Sequence, residues 1–292
     1  VPMELWFALA MVVVFLWGTD GILAKLSTQK LGVARVAVLI LVVDGLTYFL
    51  GFYYWRDNLP IGLSDGLLAV ISCVVGTVAY FCFFESIVEG QIAIAGTISA
   101  AYPALTVIGA LVFLSETLTA AQAIALTAII GGVVALSYEP NPGAEHAMPR
   151  RSLFFALLAF ALWGFWGLAS KMVINEIGPG NILGFYVISS TIVPIAYIWF
   201  RRARPVQSRN SKPSWKAWVL GATALASNVC GVFAFSFALN AGSASLVVPI
   251  SSAYPLVTVI LAVALLHEKL DRFHIVALIF VIIGLVVIGI TG

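Results

Sequence analysis

Ten runs of about 20 predominantly apolar residues follow one another along the chain, at about 4–25, 33–55, 64–86, 92–114, 120–138, 152–173, 181–200, 215–238, 243–266 and 272–290. A helix needs about 20 such residues to cross roughly 30 Å of hydrocarbon. No other feature limits the possible folds so strongly. Strands of a membrane barrel would alternate apolar and polar residues over about ten positions, and 275–290 does not alternate. Composition agrees: 62% of the 292 residues are hydrophobic and only 10% are charged, against about 25% charged in soluble domains. A cytosolic enzyme, a disordered chain, a coiled coil and a secreted disulfide scaffold are thereby excluded. The chain reads as all-α and polytopic, ten transmembrane helices with a lipid bilayer as their solvent.

The polar gaps order these spans. Residues 139–151 form a Pro- and Gly-rich linker near the midpoint, and 201–216 form the most basic loop. Gaps after odd-numbered spans hold thirteen of the fifteen Lys and Arg residues, and Arg56 and Lys171 lie on the other side. The excess of positive charge on cytoplasmic loops predicts both termini on the non-cytoplasmic face of the cytoplasmic membrane. The first span follows Glu4 rather than a basic residue, and no A-x-A site precedes Lys25. It is therefore expected to be a membrane helix and not a cleaved signal.

Several chemistries find no support. A net charge of +2 with no basic tail does not suggest nucleic acid as a partner. Cys73, Cys82 and Cys230 lie in apolar runs without metal or disulfide spacing. No G-x-x-x-x-G-K-[ST] pattern occurs. His146, His267 and His274 have no nucleophile or acid at motif spacing and read as linker or turn residues. Neither a cofactor nor enzymatic activity is expected.

The sequence is written twice. Residues 99–119 (SAAYPALTVIGALVFLSETLT) and 251–271 (SSAYPLVTVILAVALLHEKLD) match at 11 of 21 positions without gaps. Trp17-Gly18 lies eight residues before Lys25, and Trp163-Gly164 lies eight before Lys171. The chain thus divides into a first five-helix repeat (1–138), the linker (139–151) and a second repeat (152–292). Five is odd, so the second copy enters the bilayer from the opposite face. Inverted-topology repeats of this kind build many secondary transporters, with sites near the midplane.

Pro103 and Pro255 interrupt spans four and nine, and each frees a carbonyl four residues back, at Ser99 and Ser251. In hydrocarbon such groups must meet protein or water, so a kinked helix lining a wet cavity is one reading and a packing kink the other. Thr119-Ala-Ala-Gln122 has the capping-box pattern, and Asp271 holds the matching place before span ten.

Ionisable residues within spans are costly and mark candidate sites. Asp44 sits mid-span in helix two, Asp20 about two-thirds along helix one, and Glu85 near the end of helix three. A carboxylate there can bind an amine or ammonium group, or carry a proton. The plainer alternative is a hydrogen bond to a neighbouring hydroxyl, such as Thr19 or Thr47. Lys25 and Lys171 lie near span ends and can snorkel. Glu116 and Glu268 read as turn chemistry. Trp6, Trp55, Trp199, Trp215 and Trp218 suit interfacial belts, whereas Trp17, Trp163, Trp166, Tyr80, Tyr102 and Tyr254 lie deeper. Together with Phe81, Phe84 and Phe235 they could wall a cavity for aromatic groups or ammonium heads. Ordinary packing is the alternative for each singly. Asn228 is a further polar candidate.

The WG…K element opening each half and the AYP…(S/H)E element ending spans four and nine resemble those of the EamA-type members of the drug/metabolite transporter superfamily. The resemblance covers essentially the whole chain and is poor on substrate. It implies a ten-helix fold of two inverted five-helix repeats around a central cavity lined chiefly by helices one, three, four, six, eight and nine. It also implies carriage of small metabolites by alternating access. Asp20 and Trp166 stand at equivalent places after the two WG pairs, an asymmetry particular to this chain.

The expected activity is secondary transport of a small metabolite bearing an amine or ammonium group, with proton or ion coupling open and the protein a monomer. Export of neutral or aromatic amino acids is the alternative. A channel or scramblase fits poorly, for want of a continuous polar stripe. The expected substrate-binding set is Trp17, Asp20, Asp44, Tyr80, Glu85, Ser99, Tyr102, Trp163, Trp166, Asn228, Ser251 and Tyr254.

Overall fold

A computed structural model describes residues 3–89, 98–138, 149–202, 213–266 and 272–291. The described residues are helical, with short turns and no strand. Helix α1 is Met3–Leu31. Helix α2 covers 33–55 as Val33–Leu39, a π-helical turn at Ile40–Asp44, and Gly45–Trp55. Then follow α3 (Leu63–Glu89), α4 (Ile98–Phe113), α5 (Ala120–Leu136), α6 (Arg150–Ile177), α7 (Asn181–Arg202) and α8 (Trp215–Ala241). Helix α9 is broken into Ala244–Ser251 and Pro255–Leu266, and α10 is Arg272–Thr291. Eight of these elements are long and apolar enough to cross a membrane, while α4 and α5 are shorter. Residues 92–97 of the fourth expected span, the linker core 139–148, the loop around Arg204, and His146, His267, Glu268 and Asp271 lie outside the described residues.

Local chemistry sets the helix ends. Gly32 and Gly178 turn the chain between α1 and α2 and between α6 and α7 at φ 77° and 87°, a region that glycine enters without penalty. They are related by the same offset as Trp17 and Trp163. Thr119 and Gln122 close the expected capping box at the start of α5. The prolines do more than kink their helices. The α4 segment turns at Ala101 before Tyr102–Phe113, and α9 stops at Ser251 and restarts at Pro255.

Packing shows that the copies are inverted. Helices α5 and α10 hold equivalent places in the two halves and run antiparallel. Gln122 Nε2 donates to the Thr291 carbonyl at one end (3.3 Å), and His274 Nε2 lies 3.0 Å from the Tyr138 carbonyl oxygen at the other. Their crossing is close. A methyl on Gly132 would lie 2.9 Å from the Ala277 carbonyl oxygen, and one on the equivalent Gly284 would lie 2.7 Å from that of Ala125. Helices α2 and α7 are likewise antiparallel, with Gly45 beside Ser190 and Asp57 bonded to Asn181. In lipid, small residues that let backbones approach, together with helix-to-helix hydrogen bonds, replace the hydrophobic drive as the source of association.

The repeats interlock. The first helix of each packs on the third and fourth of the other: α1 against α8 and α9, and α6 against α3 and α4. Trp55, Trp199 and Trp215 are exposed at helix ends as a belt requires, but Trp6 is buried, packed on Phe7 and beneath Gly242. Tight antiparallel packing of α1 on α8 leaves that ring no path to an interface.

Candidate functional site

Two symmetry-related pairs form where the repeats interlock. Trp17 of the first copy meets Tyr254 of the second edge to face, with centroids 6.1 Å apart. Trp163 of the second copy meets Tyr102 of the first at 5.9 Å. The same crossings are pinned beside each tryptophan. Thr258 donates its hydroxyl to the Gly18 carbonyl at 2.9 Å, and Thr106 donates to the Gly164 carbonyl at 2.9 Å. Both tyrosines immediately precede or lead a proline-initiated segment, so the helix break fixes where each ring projects.

One step further along, the symmetry fails. Asp20 Oδ2 accepts a hydrogen bond from Asn228 Nδ2 at 3.1 Å. Neither hydroxyl of the plainer alternative is used: Thr19 makes no such bond, and Thr47 donates to the Val43 carbonyl instead. The equivalent places in the other half are held by Trp166 and Gly76. A methyl on Gly76 would lie 2.6 Å from the Trp166 ring, so the indole occupies the room that an asparagine would need. Trp166 donates its Nε1–H to the Tyr186 hydroxyl at 2.8 Å and stacks on Phe235 at 5.1 Å, with Trp17 at 6.4 Å. Trp17 in turn donates to the Asn228 carbonyl at 3.2 Å.

Asp44 closes the π-helical turn of α2, a distortion often found at functional sites. It lies near Asp20, and Tyr80 lies near both and near Tyr254. Asp20 and Asp44 are 7% and 9% exposed. One oxygen of each carboxyl is buried without a hydrogen-bond partner, as are the hydroxyls of Thr19 and Ser251. Among the described residues, no cation lies within ion-pair distance of either carboxyl, whereas Glu85 is paired with Arg151. Tyr80, Trp163, Asn228 and Tyr254 keep part of their surface uncovered.

The structure thus brings nine of the sequence candidates to one junction: Trp17, Asp20, Asp44, Tyr80, Tyr102, Trp163, Trp166, Asn228 and Tyr254. Glu85 is engaged elsewhere. Its Oε1 accepts from the Tyr197 hydroxyl at 2.9 Å, and Oε2 lies 3.8 Å from Arg151 Nη2, tying α3 to α7 and α6. Ser99 donates to the Ala156 carbonyl at 3.5 Å, and Ser251 is buried at the α9 break. Sequence reasoning missed Tyr186 and Tyr48, which stack at 4.9 Å between α7 and α2. The available signal was a mid-span tyrosine hydroxyl, which needs a partner in hydrocarbon. Among the described residues, no three His, Cys, Asp or Glu side chains gather as a metal would require.

A second polar cluster holds one end of the junction. Lys171 is held at the end of α8. Its Nζ donates to the carbonyls of Leu239 (2.5 Å) and Gly242 (2.8 Å) where α8 ends. Glu116 accepts from the backbone N–H groups of Ala244 and Ser245, both at 2.8 Å, where α9 begins. A cation on terminal carbonyls and a carboxylate on leading amides both complement the helix dipole. Together they clasp the α8–α9 turn with side chains from the WG…K element of one copy and the AYP…E element of the other. They border a hollow of about 380 Å³ that Asn175 and Asn240 also line.

Comparison with solved structures gives the same fold. One crystal structure aligns over 98% of this chain and 97% of its own at a TM-score of 0.74, with 17% sequence identity. At that identity the likeness concerns the fold alone. No curated protein matches the chain. The EamA-like transporter family matches twice, over residues 4–138 and over 150–290. With both copies matched and ten apolar helices in inverted halves, the chain belongs to the EamA-like transporter family, within the drug/metabolite transporter superfamily, and is a multi-pass membrane transporter.

Proposed function

We propose that the protein is a secondary carrier of a small metabolite bearing an amine or ammonium group, working by alternating access between its two repeats. The observation that carries this reading is Asp20. One carboxyl oxygen is held by Asn228, the other is buried and unpartnered, and the aromatic rings of Trp17 and Tyr254 stand beside it. A desolvated carboxylate without a counter-cation is costly, and a bound ammonium group removes that cost. Aromatic faces add about 0.5–2 kcal/mol of cation–π attraction. Asp44 and Tyr80 extend the polar side, and Trp163, Tyr102 and Trp166 form the apolar one. Asn228 positions Asp20, while Ser99 and Ser251 support the site from its edges.

Residues 1–138 and 152–292 act as the two moving halves, joined through 139–151. The protein works as a monomer in the cytoplasmic membrane with both termini outside, and a proton or ion exchanges for substrate. Flux into proteoliposomes tests the activity. Choline-like cations, guanidinium compounds and neutral amino acids are compared with and without a pH gradient. Cation uptake lost in Asp20→Asn supports the reading; transport of neutral amino acids alone, indifferent to Asp20, replaces it with an amino-acid exporter. A cysteine introduced at Arg204 and labelled only from inside supports the orientation, and labelling from outside reverses it.

A further inference from the structure

We infer that Lys171 and Glu116 are the latch of a gate on the non-cytoplasmic side, released when the α8–α9 turn parts from α4 and α6 to open Asp20 outward. This rests on the alternating-access reading and on the orientation that puts the α8–α9 turn outside. The observation behind it is how the hydrogen bonds between helices divide. Trp17, Asn228 and Thr258 join α1 to α8 and α9. Ser72, Thr106 and Ser152 join α6 to α3 and α4. Among the described residues, the hydrogen bonds that cross from one group of helices to the other come from Lys171 and Glu116. Exchange between the interlocked repeats therefore meets these bonds wherever the groups part at this end.

Packed rings stand behind the latch. Trp166 of α6 stacks on Phe235 of α8 at 5.1 Å, and Trp17 lies against them at 6.4 and 5.4 Å. The three rings are at most 8% exposed, so they plug the junction rather than line it. Along α8, Phe235 lies seven residues past Asn228, and Leu239 four further, about 10 Å and 6 Å of helical rise. Plug and latch thus stand in series between Asn228, the partner of Asp20, and the end of α8. On the far side of the latch lies the polar hollow of about 380 Å³, with Asn175 and Asn240 exposed in its wall. Water from that side can take over the carbonyls of Leu239 and Gly242 and the amides of Ala244 and Ser245 once the turn parts. Leaving them unpaired would be costly, whereas exchanging one partner for water is not. The latch therefore holds the gate shut and still releases it.

Thiol labelling in intact cells tests this. Cys73, Cys82 and Cys230 are replaced by alanine. Val232→Cys then places a thiol on the Asp20 side of Phe235, at helical spacing with Asn228 and Leu239. A membrane-impermeant maleimide added outside is expected to react slowly while the latch is whole. Lys171→Met and Glu116→Gln should each speed the reaction about tenfold, the scale of one lost hydrogen bond to a charged group. Lys171→Arg keeps the donors and should restore the slow rate. Thermal unfolding checks that each variant is intact. A merely structural role would fray the turn and leave the thiol behind the plug unreached, so an unchanged rate in intact variants overturns the inference. Should the latch variants not fold, Asn175→Cys with Asn240→Cys still decides. Bridging α6 to α8 across the hollow with a reducible bifunctional reagent should stop the flux of choline or leucine, and reduction should restore it. Undiminished flux in the bridged protein overturns the inference and leaves the proposed function standing. Faster labelling without flux of either probe keeps the gate and overturns the proposed cargo.

Discussion

Thr258 Oγ1 lies 2.9 Å from the carbonyl oxygen of Gly18, a partner 240 residues away along the chain. The contact exists because Gly18 has no side chain: a methyl there would lie 2.5 Å from Val257 Cβ and 2.7 Å from the Tyr254 carbonyl oxygen. Thr258→Val keeps the shape and removes the donor, so it should cost about 1 kcal/mol. Gly18→Ala should cost more, about 1–3 kcal/mol, because backbone must move. Thermal unfolding in detergent ranks them, and the opposite order would mean that the hydroxyl and not the close approach holds this crossing.

The α5–α10 crossing offers an internally controlled test. A methyl added at Gly132 would meet the Ala277 carbonyl oxygen at 2.9 Å, whereas one added at the neighbouring Gly131 would enter open space. Gly132→Ala should therefore lower the unfolding temperature. Gly131→Ala should leave it unchanged or raise it, since alanine gains up to about 1 kcal/mol over glycine in a helix. Equal responses at the two positions would dispose of the proposed tight crossing.

Asp20 and Asn228 should separate in function. Asp20→Asn is expected to abolish cation transport while the protein still inserts and folds. Asn228→Ala leaves the carboxylate in place without its orienting donor, so affinity should fall while some transport persists. Flux and membrane yield measured side by side check this. Full transport in Asp20→Asn would remove that residue from the site.

The α8–α9 clasp predicts a local effect. Glu116→Ala leaves the amides of Ala244 and Ser245 unpaired, and Lys171→Met frees the carbonyls of Leu239 and Gly242. Hydrogen bonds to charged groups contribute about 1.5–3 kcal/mol. Hydrogen exchange at Ala244 and Ser245 should accelerate at least tenfold in Glu116→Ala, as about 1.4 kcal/mol of lost protection requires. Unchanged exchange there would show that the carboxylate does not hold the turn.

The sequence by itself determined the number of spans, the duplication and the inversion, because length, hydropathy and an odd helix count are properties of the chain alone. It also located most of the junction: a buried Asp is anomalous wherever it packs, and the AYP and WG elements repeat visibly. Tertiary structure decided the partners. From sequence Asp20 had Thr19 beside it, yet its bond is to Asn228 on α8, because α1 packs into the opposite copy. The sequence named no partner for Lys171, and the packing gives it two carbonyls at the end of α8. Repetition states which residues are equivalent. Whether each meets its own copy or the other depends on which helix surfaces fit closely in lipid, and only the assembled packing settles that.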